Sequence, residues 1–389
     1  MKSDPHPFAD THLRKRHRRA RWFKNLTLFA IGLSISFLFY FLTDMVVKGL
    51  PAFQQTYIKV TIHYTTQSQS NPFAALDKSY RKIISRAWYR ALPQQMAVNP
   101  ALLNTQAEVW ALADDQVDQY LKGHYHNLKP KERTLVDHLQ AKGEVVLKFN
   151  ALFFSHSDSK IPEFAGLKSA MVGSVLTLFI TMVLAFPLGV MTAVYLEEFA
   201  IDNRWTQFIE ININNLAAIP SILFGLLGLA IFINLFGLPR SSALVGGLTL
   251  ALMTLPIIIV SARAALRSIP DSIRQAGYGL GLSKLQVVQD HVLPLAFPGI
   301  LTGSIIGLAH AMGETAPLII IGMIAFIPDS PDSFTQAATV MPAQIFTWAG
   351  MPERAYIEKT AAAIMVLLGV LLSFNGLAIY LRKKFAVKW

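Results

Sequence analysis

The segment AMGETAPLIII, residues 311–321, sets one carboxylate, Glu314, in a run otherwise made almost entirely of apolar side chains and glycine. An ionised carboxylate at the centre of hydrocarbon costs about 2.5–3.5 kcal/mol on insertion scales, so it needs a partner or a water-filled path. His310 stands four residues earlier, one helical turn away on the same face. Its imidazole changes charge near neutral pH. Such a pair suits gating or the positioning of a cation; the alternative is a hydrogen bond that only supports packing. One His with one Glu falls short of a metal's usual ligand set. The chain has no cysteine, which excludes disulfides, thiolate catalysis and cysteine-based metal sites. HExxH, GxSxG and the dipeptide Gly-Lys are absent, so neither the zinc and serine hydrolase motifs nor a nucleotide-phosphate loop is present. No catalytic group, metal or cofactor is expected.

The elements that position this pair follow from hydropathy. Of 389 residues, 53% are hydrophobic and only 15% charged, which is too apolar for an ordinary soluble domain. Six apolar blocks reach the length a bilayer requires: 26–47, 171–195, 216–238, 243–260, 299–327 and 361–381. Glu314 is close to the midpoint of the fifth. Along that block Gly299, Gly303, Gly307 and Ala311 recur every four residues, a strip of small residues that lets another helix approach closely. His310 and Glu314 lie beside the strip, so the carboxylate is expected to face a packed helical neighbour.

The net charge of +11 is concentrated in 13–24 and 382–388. Both clusters adjoin apolar blocks, which points to orientation by the positive-inside rule rather than to nucleic acid. Six crossings bring both termini to the cytoplasmic side. The first block is expected to be a retained span, since it is long and lacks a small-residue cleavage site. The expected organisation is a basic cytoplasmic tail (1–25), a first transmembrane helix (26–47), an outer insertion (48–168), a five-helix membrane domain (169–381) with an inner loop at 261–298, and a second basic tail (382–389). In the insertion, 57–64 and 144–154 read as strands, and 73–92 and 101–121 as helical. Arg240 at the outer mouth of the fourth span either attracts anions or snorkels. Arg263 and Arg267 at its inner end fit the positive-inside rule. Pro187, Pro220 and Pro256 interrupt spans.

The inner loop reads PDSIRQAGYGLGLSKLQVVQDHVLPLAFPG. Pro270 opens a short helix, Gly279 and Gly281 break it, and Ser283 with Gln286 forms a capping box for a second helix. That helix carries Leu285, Val288 and Val292 on one side and is expected to end before Pro294. Two amphipathic helices on a glycine elbow make a knob suited to a groove in a soluble protein.

The spacing of this loop resembles the EAA signature of ABC-importer permeases. Gln275, Ala276 and Gly277 stand for Glu-Ala-Ala, followed by Gly281, Leu293 and Pro294; Gln275 and Gly277 depart from the pattern, and His291 stands where an aliphatic residue is common. GETAP (313–317), IPSILFG (219–225), FPLGV followed by YLEE (186–198) and PGILTG (298–303) resemble the PstA-type permease of bacterial phosphate-import ABC transporters, in order and spacing. KGLPAFQQTYI (48–58) and DSKIPEFAG (158–166) look like a version with an enlarged periplasmic region. The resemblance is strongest over 158–381.

The resemblance implies an all-α polytopic membrane protein with six transmembrane helices of ABC-importer permease type and a small α+β insertion. It implies a bacterial inner-membrane transport subunit, not an enzyme, moving inorganic phosphate inward. Its partners would be a PstC-like second permease, a PstB-like ATPase dimer docking on 271–294, a PstS-like periplasmic binding protein, and membrane lipid. The second permease would pair with the small-residue faces. Glu314, His310, Thr315 and Arg240 would line or gate the path. Where the family commonly has arginine four residues before the glutamate, this chain has His310. A lone carboxylate repels phosphate, so Glu314 would act through a cation or as a gate. Sequence chemistry hardly separates tetrahedral oxyanions, so an importer of sulfate or molybdate is the alternative. An intramembrane enzyme built on His310 and Glu314, or a sensor built on the outer insertion, leaves the knob unexplained.

Overall fold

A computed structural model describes residues 7–385. The outer ends of the two basic tails lie outside those residues. The chain divides into two compact units, Met1–Lys48 and Gly49–Trp389. The first holds helix α1 (Pro7–Gly49), uncharged from Asn25 to Thr43 after its basic start, with Asp44 paired to Lys48 at 2.7 Å near its end.

Beyond Gly49 the chain enters a three-stranded antiparallel sheet of β1 (Gln54–Tyr64), β2 (Thr105–Leu112) and β3 (Val145–Phe149), in the order β2-β1-β3. β1 is central, and its alternate residues Ile58, Val60, Ile62 and Tyr64 enter a core with Ile83, Leu92 and Val136. Three expectations fail here, the first being the strand expected over 144–154, which stops at Phe149 and gives way to a helical turn at Leu152–Ser155. Residues 105–112 form a strand, not a helix, because β1 needs a partner on its other edge; Ala107, Val109 and Ala111 alternate inward accordingly. Residues 73–92 fold as short turns, with helix only at Leu92 and over Arg86–Arg90. The insertion's further helices include α2 (Asp115–Leu121) and α3 (Pro130–Ala141). Asp114 caps α2 by accepting from the Gln116 N–H at 3.1 Å. Burial, reinforced by the Asp115 and Glu163 carboxylates, pushes Asp114 up to about 7.

The membrane-type elements follow: α4 (Lys168–Val194), α5 (Arg204–Ala217), α6 (Ser221–Gly228), α7 (Ala243–Arg267), α8 (Asp271–Gly279), α9 (Lys284–Val287), α10 (Leu293–Gly313), α11 (Ala316–Ile320), α12 (Met341–Ala349) and α13 (Ala355–Phe385). Among the described residues, five helices are long and apolar enough to cross a membrane, and a sixth crossing is available if α5 and the following Ser221–Leu235 helix count as one. That pair is bent by 101° at Pro220, where a proline removes an N–H and clashes with the preceding turn. The third expected span is therefore short and broken.

The fifth differs more. α10 ends at Gly313 and does not continue to 327. Pro317 has no N–H to give the Gly313 carbonyl and its ring would collide with it, so the helix stops and Pro317 opens α11 instead. Glu314 sits at that break, not at the midpoint of a helix. At the other end, α10 runs through Pro294, against expectation. A π-helical turn at Val288–Val292 precedes it and removes the usual acceptor geometry that a proline would obstruct.

α7 is the central post. A Cβ added at Gly247 would lie 2.5 Å from Ile180 on α4, and one at Gly303 on α10 would lie 2.4 Å from Ser261 on α7. Gly303→Val should force α10 off α7 and cost about 1–3 kcal/mol, read as a lowered midpoint in thermal unfolding of the detergent-solubilised chain. In the insertion, an acid whose folded pKa is raised keeps its stability below the unfolded value near 3.8 and loses it as pH climbs through about 7. Asp114→Asn, which retains the cap acceptor, should therefore raise the unfolding temperature more at pH 8 than at pH 4; an equal shift at both would remove the burial argument.

Candidate functional site

The His310–Glu314 contact forms as the spacing predicted: Nε2 lies 3.2 Å from Oε1. Its setting is a helix end. Glu314 takes an extended conformation as C-cap of α10, its N–H donating to the Ala311 carbonyl at 3.2 Å. A carboxylate at a helix C-terminus meets the negative end of the dipole, while an imidazolium there is favoured. His310 stands where its ring can hydrogen-bond the carboxylate at the end of the helix. Thr315 follows as the residue before α11.

The small-residue strip faces α7 of the same chain. Cβ atoms at Gly299 and Gly303 would meet Ala265 and Ser261 within 3 Å, and one at Gly307 would reach Ile257 at 3.5 Å. Ala311 is buried with Met253 and Leu250. The expectation that a second permease occupies this strip is therefore corrected: α7 fills it. The stripe beside it stays open. Ile306 and His310 are 55% exposed, the latter by side chain, and Gly313 is exposed too, whereas the Glu314 side chain is 20% exposed.

Arg240 is exposed, in the turn between the Ser221–Leu235 helix and α7, and among the described residues it makes no ion pair. Its neighbour Ser241 ties that turn to the end of the broken segment: Oγ donates to the Gly322 carbonyl at 2.7 Å and the N–H to Ile321 at 3.3 Å. α11 itself packs on α6. A Cβ at Gly225 would lie 2.7 Å from the Pro317 Cα, so glycine is what lets the two backbones touch.

The first helix of the knob, its glycine elbow and its capping box form as read, while the second helix runs on into α10 instead of ending before Pro294. α8 ends at Gly279, Gly281 adopts φ +81°, and Ser283 and Gln286 exchange both capping bonds. Gly277 stands where the family pattern has alanine because a Cβ there would meet Val287 at 2.8 Å. Val287 and Val292 are buried; Gln275, Ala276, Tyr278, Leu280 and Leu285 face outward. Leu285 was expected on the buried side and is exposed, since α9 turns Val287 and Val288 inward instead. Leu293 and Pro294 begin α10 directly.

Sequence reasoning missed how the loops after α4 and α7 pair. Arg263 donates to Glu210 at 2.6 Å and to Glu197 at 3.3 Å, and Arg267 grips Glu197 at 2.8 Å. Arg274 on α8 contacts Glu198 at 2.6 Å. Hydrogen bonding to Glu198 outweighs burial and raises the Arg274 pKa above its already high ordinary value, so it stays charged. The signal was available: an acidic YLEE loop faces a basic one.

A family model described as "Binding-protein-dependent transport system inner membrane component" matches residues 185–387, just over half of the 389. One described as a domain of unknown function matches 10–95 and 73–131. The phosphate transport system permease protein PstA 1 of Mycobacterium tuberculosis (strain H37Rv) is 34% identical over 218 residues, 56% of this chain and 70% of its own. The phosphate transport system permease protein PstC of Pasteurella multocida is 29% identical over 258 residues, 59% of this chain and 80% of its own. Among solved structures, a chain of the inward-facing MetNI methionine ABC transporter is similar with a TM-score of 0.44 and 16% identity, over 57% of this chain and 95% of that one. With the broken fifth helix, the inner knob and several apolar spans in one chain, this protein belongs to the binding-protein-dependent transport permeases, the multi-pass membrane subunits of ABC importers, and among them to the PstA type.

Proposed function

We propose that this permease carries inorganic phosphate from periplasm to cytoplasm across the bacterial inner membrane. The observation that carries the reading is the GETAP junction, where Glu314 and His310 meet at an open stripe of α10, in a chain whose relatives are named phosphate transport permeases. The six expected crossings put both termini in the cytoplasm, the insertion at 48–168 in the periplasm and the 261–298 loop at the inner face.

In this reading the stripe of Ile306, His310 and Gly313 forms half of the path, and a PstC-like second permease supplies the other half. The strip of Gly299, Gly303, Gly307 and Ala311 holds α10 on α7. Glu314 does not bind the anion directly. It holds His310, and with Thr315 it shapes the end of α10, where a cationic imidazole offers the attractive charge. Arg240 serves the outer mouth. A PstS-like binding protein delivers phosphate from outside.

ATP is hydrolysed on a separate PstB-like dimer, since this sequence has no phosphate-binding loop. That dimer takes the knob over 271–294. The outward Tyr278, Leu280 and Leu285 give an apolar tip of the kind that seats in a protein groove, with Gln275 and Ala276 beside it and Gly281 setting the elbow.

Uptake by the reconstituted complex in vesicles, with phosphate and sulfate in competition, decides the substrate. Phosphate should be taken up and sulfate should compete poorly; preferential sulfate uptake would overturn the assignment. Glu314→Gln should assemble normally yet lower phosphate uptake at least about tenfold, the equivalent of about 1.4 kcal/mol; uptake at the unmodified rate would remove Glu314 from the mechanism. Gly281→Val forces a β-branched residue into positive φ, a strain of about 1–3 kcal/mol, and should weaken retention of the ATPase during purification of the complex. Unchanged retention would contradict docking through this elbow.

A further inference from the structure

Arg274 lies on α8 yet points back into the protein. Its Nη2 donates to Glu198 Oε1 at 2.6 Å and Nε reaches both carboxylate oxygens at 3.2 Å. The rest of its guanidinium donates to the Ile269 and Leu266 carbonyls at 2.8 and 3.2 Å. One side chain thus joins the knob to the end of α7 and to the π-helical turn Tyr195–Phe199 that closes α4. The Glu198 side chain is only 5% exposed. A charge so buried is tolerated only when its partners are complete. The second knob helix is held to the same turn, with Lys284 Nζ 5.5 Å from the Phe199 ring centroid.

The contacts continue inward. Glu197, adjacent to Glu198, bridges Arg263 and Arg267, and Arg263 bridges on to Glu210 of α5. α5 leads through the Pro220 bend to α6, and α6 meets α11 where Gly225 abuts Pro317. Three residues before Pro317 is Glu314. A chain of ion pairs and backbone contacts therefore runs without interruption from the knob to the helix break.

We infer that Glu198 is a positioning residue for energy coupling: its pair with Arg274 makes the knob, the ends of α4 and α7, and α5 move as one body, so that displacement of the knob reaches α6 and the Glu314 junction. This rests on the reading that an ATPase docks on the knob. Removing the pair leaves the outward docking residues Tyr278, Leu280 and Leu285 in place. What it releases is the joint behind them. A static clamp would affect stability alone, whereas a joint in the drive train affects how much substrate moves per ATP.

The test uses the complete complex in lipid vesicles, with inorganic phosphate as the probe. Glu198→Gln should retain the ATPase and hydrolyse ATP within about twofold of the unmodified complex, while phosphate moved per ATP falls about tenfold, inside the usual range of a coupling effect. Glu198→Gln combined with Arg274→Gln, which neutralises both members, should lose less than the product of the two single losses, as residues acting together do. Glu198→Asp, keeping the charge, should recover part of the ratio. An unchanged ratio in Glu198→Gln overturns the inference, as does strictly multiplicative loss in the double variant. Loss of the ATPase from Glu198→Gln alone overturns it too, because the pair would then only shape the docking surface. If the unmodified chain never holds an ATPase, the docking reading falls, and this inference with it.

Discussion

Backbone polar groups that leave a helix inside a non-polar medium must find partners in protein or in a water-lined path. The break after Gly313 imposes that demand where the chain also carries its most isolated carboxylate. Both are met together. The Glu314 N–H closes the last turn onto Ala311, its side chain takes His310, and Ser241 satisfies the Ile321 and Gly322 carbonyls at the far end of the segment. Gly225 exists in that frame to let α6 cover Pro317. Remove the break, and there is no reason for a glycine there, nor for a carboxylate at a helix end.

A second constraint acts between the loops that follow α4 and α7. The acidic loop after α4 would repel itself if it stood alone. Paired with Arg263, Arg267 and Arg274, its charges become internal fastenings. The apolar tip of the knob is left as the outward surface. Glu197 and Glu198 are turned into the fold while Tyr278, Leu280 and Leu285 lie exposed beside Asp271 and Lys284, unlike an ordinary solvated loop. A loop meant only for water would do the opposite.

What could be read beforehand follows from locality. The i,i+4 contact of His310 with Glu314, the capping box at Ser283, the helix break at Gly279 and Gly281 and the alternation of β1 depend on neighbours in sequence, and all of them form. The errors have a common cause. A hydropathy window is blind to helix ends, so 299–327 passed as one span although Gly313 and Pro317 stood in it. The Ala- and Glu-bearing stretch at 105–112 looked helical until β1 required an edge partner. Pro294 stays helical only because a π-helical turn precedes it. The strip of small residues announced a close neighbour but carried no address, and α7 proved to be that neighbour. The ion pairs of the inner loops were legible as complementary charge, though not as specific partners.

The insertion extends the same logic outward. Glu358, in the first turn of α13, takes Lys122 at 3.3 Å, His124 at 2.7 Å and Gln119 at 2.7 Å, all from α2 and its following loop. Beside it Trp348 donates to Asp158 at 2.9 Å and Tyr356 to the Ser159 carbonyl at 2.6 Å. Ala52, Phe153, Leu167 and Tyr356 share one apolar core with α12 and α13. A domain held only by loops would be free to turn; one held by buried charges and a shared core is not, because each broken ion pair would leave an unpaired charge out of water. α13 in turn packs along α10. The helix capped by Glu314 is thus gripped through α13 by the insertion and through α7 by the ion pairs of Arg263 and Arg267. Its break joins the bend at Pro220 and the π-helical turns at Tyr195–Phe199 and Val288–Val292 as a place where the backbone departs from a regular rod between these fastenings.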